Sequence, residues 1–134
     1  MKVAKAYGRD LEISTKNSVE VCNLIRNKTI EKARKLLEDV VNKKTAVPYR
    51  RYNKEIPHRK GNMASGRYPI KTINAILKIL KNAEDNAQNI GLDSPLIISH
   101  ISASKAAKRW HFGRWRRRRM KNTHIRVELS EKKK

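Results

Sequence analysis

The sequence predicts an α+β fold, and three observations carry that prediction. Two stretches repeat apolar residues at helical spacing: Ile30, Ala33, Leu37, Val40 and Val41 in one, and Ile70, Ile73, Ile76, Leu77, Leu80, Ala83, Ala87 and Ile90 in the other. Ile125, Val127 and Leu129 alternate with His124, Arg126 and Glu128, the period-two signature of a strand with one buried face. Between the two helical stripes all periodicity stops over residues 43–67, where prolines and glycines break the chain.

At the N-terminus Leu11 and Ile13 flank Glu12 after the turn-favouring Gly8, a short β-like pattern. Ser14 offers an N-cap for a first helix, or Asn17 does, with Glu20 three residues on completing a capping box; Val19, Cys22 and Ile25 follow at helical spacing. That helix should end near Asn27. Thr29 is placed to cap the second helix, with Glu31 in its first turn against the positive end of the helix dipole. Pro69 suits the first position of the third helix, because its missing N–H would go unpaired there. Gly91 closes this helix, with Leu92 placed for a hydrophobic contact. Asn82 and Asn86 are either exposed or bonded to neighbouring backbone.

Residues 96–129 open as an apolar run (Leu96, Ile97, Ile98, Ile101) and return as the alternating strand. The sequence between would also suit a helix. Strands on both sides and Gly113 in the middle favour an extended β-hairpin. Arms of about ten residues would carry its tip roughly 30 Å from the sheet at ~3.3 Å per residue. Residues 130–134 read as a frayed polar tail.

Composition bounds the function. At 134 residues the chain is a single domain by size, 1–134, able to bury roughly two-thirds of its unfolded surface. It carries 33 Lys and Arg against 12 Asp and Glu, a net charge of +21, which points to nucleic acid. No run approaches the ~20 apolar residues of a spanning helix and no apolar signal sequence opens the chain, so no membrane partner and a cytoplasmic location are expected. The single cysteine, Cys22, excludes an internal disulfide and a multi-thiolate zinc site, and the four histidines stand far apart. Neither metal nor cofactor is expected. His58 with Glu55, or His100 with His124, lack any accompanying nucleophile or metal motif, so the chain reads as a non-enzyme.

Charge is concentrated in two places. Residues 94–127 contain no Asp or Glu and ten Lys and Arg, with Trp110, His111, Phe112 and Trp115 among them. Such a segment repels itself unless it lies against a polyanion. The aperiodic 43–67 stretch interleaves arginines and lysines with Tyr49, Tyr52 and His58. It is either a functional loop, with tyrosines stacking and arginine forks on phosphates, or a solvated flexible insertion. The hairpin aromatics either stack on unpaired bases or pack across the strands. Composition alone also permits a basic DNA-binding chromosomal protein; a recognition helix with one basic face would favour it, yet the strongest helix is largely core.

Six motifs then occur in order: Ala6-Tyr7-Gly8-Arg9, Val47-Pro48-Tyr49-Arg50-Arg51-Tyr52-Asn53, Gly66-Arg67-Tyr68-Pro69, Asn82-Ala83 with Asn86-Ala87, Gly91-Leu92-Asp93 and Thr123-His124-Ile125. Together they resemble the archaeal and eukaryotic branch of the universal ribosomal protein twenty-two family of the large subunit. The resemblance runs from about Ala4 to Leu129. It implies three helices packed on a three-stranded antiparallel sheet with a projecting β-hairpin. It further implies a cytoplasmic place in the large ribosomal subunit, where the body sits near the end of the peptide exit tunnel and the hairpin lines or approaches the tunnel wall. The implied partners are large-subunit ribosomal RNA, neighbouring large-subunit proteins and the nascent polypeptide, with no homo-oligomer. One departure is the tip, Trp110-His111-Phe112-Gly113-Arg114, which replaces an Arg-Ala-Phe-Gly-Arg or Arg-Ala-His-Gly-Arg element in arms that are shorter here.

Residues and resemblance together give the expected rRNA contacts. In the body and loop they are Arg9, Lys16, Tyr49, Arg50, Arg51, Tyr52, Lys54, His58, Arg59, Lys60 and Arg67. In the hairpin they are Lys105, Lys108, Arg109, Trp110, His111, Phe112, Arg114, Trp115, Arg116, Arg117, Arg118, Arg119 and Lys121.

Overall fold

A computed structural model of the chain describes residues 2–131. Strands β1 (Ala4–Leu11), β4 (Leu96–Lys105) and β5 (Thr123–Glu131) form an antiparallel sheet in the order β1-β5-β4. Helices α1 (Thr15–Ile25), α2 (Ile30–Val41) and α3 (Ile70–Ile90) cover one face of it. A two-residue pair, β2 (Val47–Pro48) with β3 (Gly66–Arg67), closes the base of the loop between α2 and α3. The α+β class, the three helices and the three-stranded sheet are as the sequence indicates. Ile125, Val127 and Leu129 face inward with Ile98 and Ile101, against Leu37, Ile73, Ile76 and Leu80 of the helices.

The first strand departs from its reading. It is eight residues long, and its buried positions are Ala4, Ala6 and Gly8, too small to print a hydrophobic alternation. They are small because α3 lies on them: a Cβ added at Gly8 would stand 2.4 Å from Ile79 Cδ1. Gly8 is therefore a close-approach glycine inside a strand, not a turn. The ladder shifts register between Gly8 and Leu11, where Asp10 adopts φ 51°, and Ile13 lies beyond the strand.

Ser14 is the N-cap of α1, its Oγ accepting from the Asn17 N–H at 3.5 Å, and the Asn17–Glu20 box does not form. The buried face is Ser18, Glu20, Val21, Cys22 and Ile25, so Val19 is replaced by Val21. Thr29 holds the N-cap position of α2 without a side-chain capping bond. The preceding turn is tied to β4 instead, Asn27 N–H donating to Ile98 O at 3.1 Å and Ile98 N–H to Lys28 O at 3.0 Å. Pro69 stands at the N-cap of α3, one position earlier than expected. Gly91 ends α3 in the left-handed region at φ 71°, and Leu92 N–H donates to Ala87 O at 3.0 Å with its side chain buried, the expected C-terminal stop. Asn86 Nδ2 donates to Lys5 O at 3.0 Å, fastening α3 to β1.

The hairpin forms, but its projection is shorter than the sequence suggests. Most of both expected arms is sheet: β4 and β5 pair from Leu96–Glu131 to Lys105–Thr123, and β1 flanks β5. Only residues 106–122 extend past it, about seven residues per arm, or roughly 23 Å at ~3.3 Å per residue. Of the expected polar tail, Ser130 and Glu131 finish β5, and residues 132–134 lie outside the described residues.

Candidate nucleic-acid interface

The finger, residues 106–122, remains a hairpin although nothing apolar covers it. Ala106 N–H donates to Asn122 O at 3.1 Å, Met120 N–H to Arg109 O at 2.8 Å and His111 N–H to Arg118 O at 2.7 Å. A single 3-10 turn at Gly113–Trp115 reverses the chain, with Gly113 at φ 70°. Lys105, Lys108, Arg109, Arg114, Arg116, Arg117, Arg118, Arg119 and Lys121 are all exposed, and His111 is half-buried. The ion pairs among the described residues (Lys5–Glu128, Arg34–Glu84 and Arg126–Glu128) all lie in the body. The finger cations therefore repel one another without an acidic partner among the described residues.

The aromatics take an arrangement between the two readings. Trp110 and Arg119 face each other across the arms, the guanidinium 4.4 Å from the ring centroid, and Arg118 lies 4.5 Å from the Trp115 ring. Packing across the strands is thus cation to ring rather than ring to ring, a contact that suits a guanidinium. Both indoles stay more than half exposed, and Phe112 is 81% exposed at the tip. A polar clamp fixes the finger's root: Asn122 Nδ2 donates to Asp10 Oδ1 at 2.9 Å and to Ala107 O at 3.0 Å, while Thr123 Oγ1 donates to Ile13 O at 2.9 Å.

The second cationic region is built around an acid. Glu20, on the buried face of α1, accepts from the backbone N–H groups of Arg50, Arg51 and Tyr52 at 3.2, 2.9 and 2.8 Å. Three amide donors satisfy a carboxylate that burial would otherwise penalise, and they leave the Arg50 and Arg51 side chains in solvent. Tyr49 N–H donates to Ser65 O at 2.9 Å and Arg59 N–H to Ala64 O at 2.8 Å, so the 43–67 stretch is a folded insertion. Arg59 Nε donates to Gly66 O at 3.2 Å, and its guanidinium lies 5.3 Å from the Tyr68 ring. Lys54, His58, Lys60 and Arg67 are exposed. Lys16, from α1, joins this region with its Nζ 5.5 Å from the Tyr52 ring.

Two expected contacts are placed differently. The Tyr49 ring is 4% exposed and belongs to the core, so it offers no stacking face; an apolar ring beside Val47 gains more from burial than from water. Arg9 joins neither cluster and instead lies on the open sheet face with Tyr7, His124 and Arg126. Arg126 there stands 5.6 Å from the Tyr7 ring and is hydrogen-bonded to Glu128, which raises the guanidinium pKa and lowers that of the carboxyl. Sequence reasoning missed Glu20, Asn122 and Thr123 as positioning groups. Their partners lie 15 to 112 residues away along the chain, so no local spacing marks them.

Among the described residues no group of three His, Cys, Asp or Glu is gathered to hold a metal ion, and no helix is long and apolar enough to cross a membrane. Fold and surface define a small α+β body that carries two cationic projections, the 43–67 loop and the finger. The family described as Ribosomal protein L22p/L17e matches residues 6–130, and the chain belongs to that family, which is structural and not enzymatic. Relatives carrying the name Large ribosomal subunit protein uL22 include that of Methanosphaera stadtmanae, 46% identical over 138 residues, which cover 97% of this chain and 90% of the relative. That of Archaeoglobus fulgidus is 50% identical over 107 residues, covering 78% and 69%. That of Nanoarchaeum equitans is 40% identical over 139 residues, covering 98% and 80%. The resemblance carried by the six motifs is thereby upheld.

Proposed function

We propose that the whole chain, 1–134, is one rRNA-binding unit of the large ribosomal subunit in the cytoplasm, and that it works without chemistry or cofactor. The body holds two cationic elements, the 43–67 loop and the finger, against large-subunit rRNA and stabilises its assembly. The single observation that carries this reading is the finger: an acid-free hairpin kept extended by its own backbone ladder, with indoles and guanidiniums turned to solvent. Each phosphate neutralised releases condensed counterions, which supplies affinity, while the spacing of loop and finger reads the arrangement of RNA helices. Trp110, Phe112 and Trp115 stack on unpaired bases at about 1–3 kcal/mol each, the range of single-strand binders. The finger runs inward toward the peptide exit tunnel, its tip at Phe112 nearest the nascent polypeptide. Neighbouring large-subunit proteins abut the body, and the chain is present as a single copy.

Co-sedimentation tests this directly. The native protein should travel with large subunits through a moderate salt wash, and rRNA fragments should outcompete duplex DNA in a gel shift. Absence from ribosomes, or tighter binding to duplex DNA, would replace this reading with that of a chromosomal protein.

A further inference from the structure

Beside the loop opens a cleft of about 340 Å³, lined by Lys16, Tyr49, Arg51, Tyr52, Lys54 and Arg67 among others. That volume falls in the ~300–1,000 Å³ range of sites that enclose small organic ligands. Four of its lining residues are cations and none is an acid. Two of the cations already flank the Tyr52 ring, Lys16 Nζ at 5.5 Å and Arg51 Cζ at 5.4 Å. Glu20 keeps its charge, which is felt at the Tyr49 phenol, but its oxygens are held by three backbone amides and it forms no ion pair with these side chains. The cleft is thus prepared for an anion.

A second, independent observation says what else the ligand carries. The Tyr49 hydroxyl is buried without a hydrogen-bond partner, whereas buried hydroxyls are ordinarily paired. Burial pushes this phenol up to about 12 against the opposing pull of Arg67, so the group remains a donor at neutral pH. The cations are exposed whereas the hydroxyl is buried, so a phosphate held among the cations leaves that donor for a second group. A nucleotide brings both functions: a phosphate, and base or ribose oxygens and nitrogens that accept.

We propose that the cleft holds a single unpaired nucleotide of the bound RNA, its phosphate among Lys16, Arg51 and Arg67 and an acceptor of its base or ribose on the Tyr49 hydroxyl. Arg67 is exposed and its charge acts on the Tyr49 phenol; nucleotide binding requires it to shift onto the phosphate so that the base or ribose reaches the buried hydroxyl. A base held in a duplex stack cannot enter, so the cleft selects an extruded one. The inference rests on the rRNA reading above and adds to it a place where one nucleotide is gripped.

The test titrates the full chain with adenosine and uridine 5′-monophosphates, and separately with inorganic phosphate, following the backbone amide signals of Arg51, Tyr52 and Arg67. The nucleotides should shift these signals saturably and bind at least tenfold more tightly than phosphate. Tyr49→Phe keeps the buried ring and removes only the hydroxyl. It should weaken nucleotide binding about fivefold to tenfold, the loss of one hydrogen bond, and leave phosphate binding unchanged. Equal affinity for phosphate and nucleotide, no saturable shift, or full nucleotide affinity in Tyr49→Phe would each overturn the proposal. Should the variant melt early, the comparison of nucleotide with phosphate on the native chain still decides. A parallel gel shift with large-subunit rRNA separates the two levels: retained rRNA binding with an idle cleft sinks this inference alone, and abolished rRNA binding sinks the reading beneath it.

Discussion

Ile101 and Trp110 lie nine residues apart on one arm of the same hairpin, yet the first is fully buried and the second 58% exposed. The backbone ladder runs past both. What changes is the layering. At Ile101 the arm is part of the β1-β5-β4 sheet with helices against it, whereas beyond Lys105 both β1 and the helices are left behind. The inner half of the hairpin is therefore held by apolar burial, and the outer half by hydrogen bonds and two Arg–Trp contacts against the repulsion of its own charge. One continuous pair of strands serves as core at one end and as a cationic surface at the other, and the boundary is the Asn122–Thr123 clamp.

The two halves should therefore respond oppositely to substitution. Ile101→Ala removes buried methyl groups and should cost about 2–5 kcal/mol of folding stability in urea titrations. It should leave the salt dependence of rRNA binding by the folded protein intact. The next effect in size is on the other half. Replacing Arg116, Arg117, Arg118 and Arg119 by alanine should change stability by no more than about 0.5 kcal/mol. It should flatten the slope of log affinity against log salt by about 3, since each neutralised phosphate accounts for ~0.7–0.9 of that slope. A stability loss as large as that of Ile101→Ala would erase the boundary between the halves; an unchanged slope would reduce the four arginines to solvated decoration.

A smaller effect is expected at the boundary itself. Thr123→Val keeps the side-chain shape but leaves the Ile13 carbonyl and the Thr15 hydroxyl, 2.8 Å from Thr123 Oγ1, without that partner. The expected cost is about 1–3 kcal/mol of stability, together with faster amide exchange at Ala106, which bonds the neighbouring Asn122 carbonyl. Exchange unchanged at Ala106 would mean that the finger's root is held by its ladder alone.

The same contrast governs what is legible in the sequence. α2, α3 and β5 are readable because each buries large apolar side chains at a fixed period, so burial and pattern are the same fact. β1 escapes a pattern reading because close packing under α3 requires Ala4, Ala6 and Gly8, and residues that small carry no hydrophobic signal. The finger's charge is legible from composition, as is its choice of hairpin over helix from the strands beside it. Its reach is not, because the third strand that draws the β5 arm into the sheet lies more than 110 residues away from it in the chain. In the loop, arginines and tyrosines announce a surface, but Glu20, which sets its backbone, looks like an ordinary helix residue. Nothing local distinguishes a carboxylate that will cap its own helix from one that will gather three amides from a distant segment.

The smallest expected effect is a response to alkali that belongs to the body alone. Burial raises the Cys22 thiol from 9.0 to about 12, and burial likewise raises the Tyr49 phenol from 10.0 to about 12. The folded chain holds both protons more tightly than the unfolded chain. Their contribution is therefore fully present below pH 9 and is lost as pH climbs through the window up to 12. Between pH 9 and pH 10 the thiol alone should cost about 1 kcal/mol, with the phenol adding most of its share above pH 10. Urea melts at those two pH values check this, and Cys22→Ala, though less stable throughout, should lose across the same interval only the phenol's share, about 0.3 kcal/mol. Residues 106–122 contain neither cysteine nor tyrosine, so the four-arginine variant should decline as steeply as the native chain. A native protein with flat stability from pH 9 to pH 10 would mean that α1 opens enough in solution to wet Cys22, and that the body is not a closed half set against an open one.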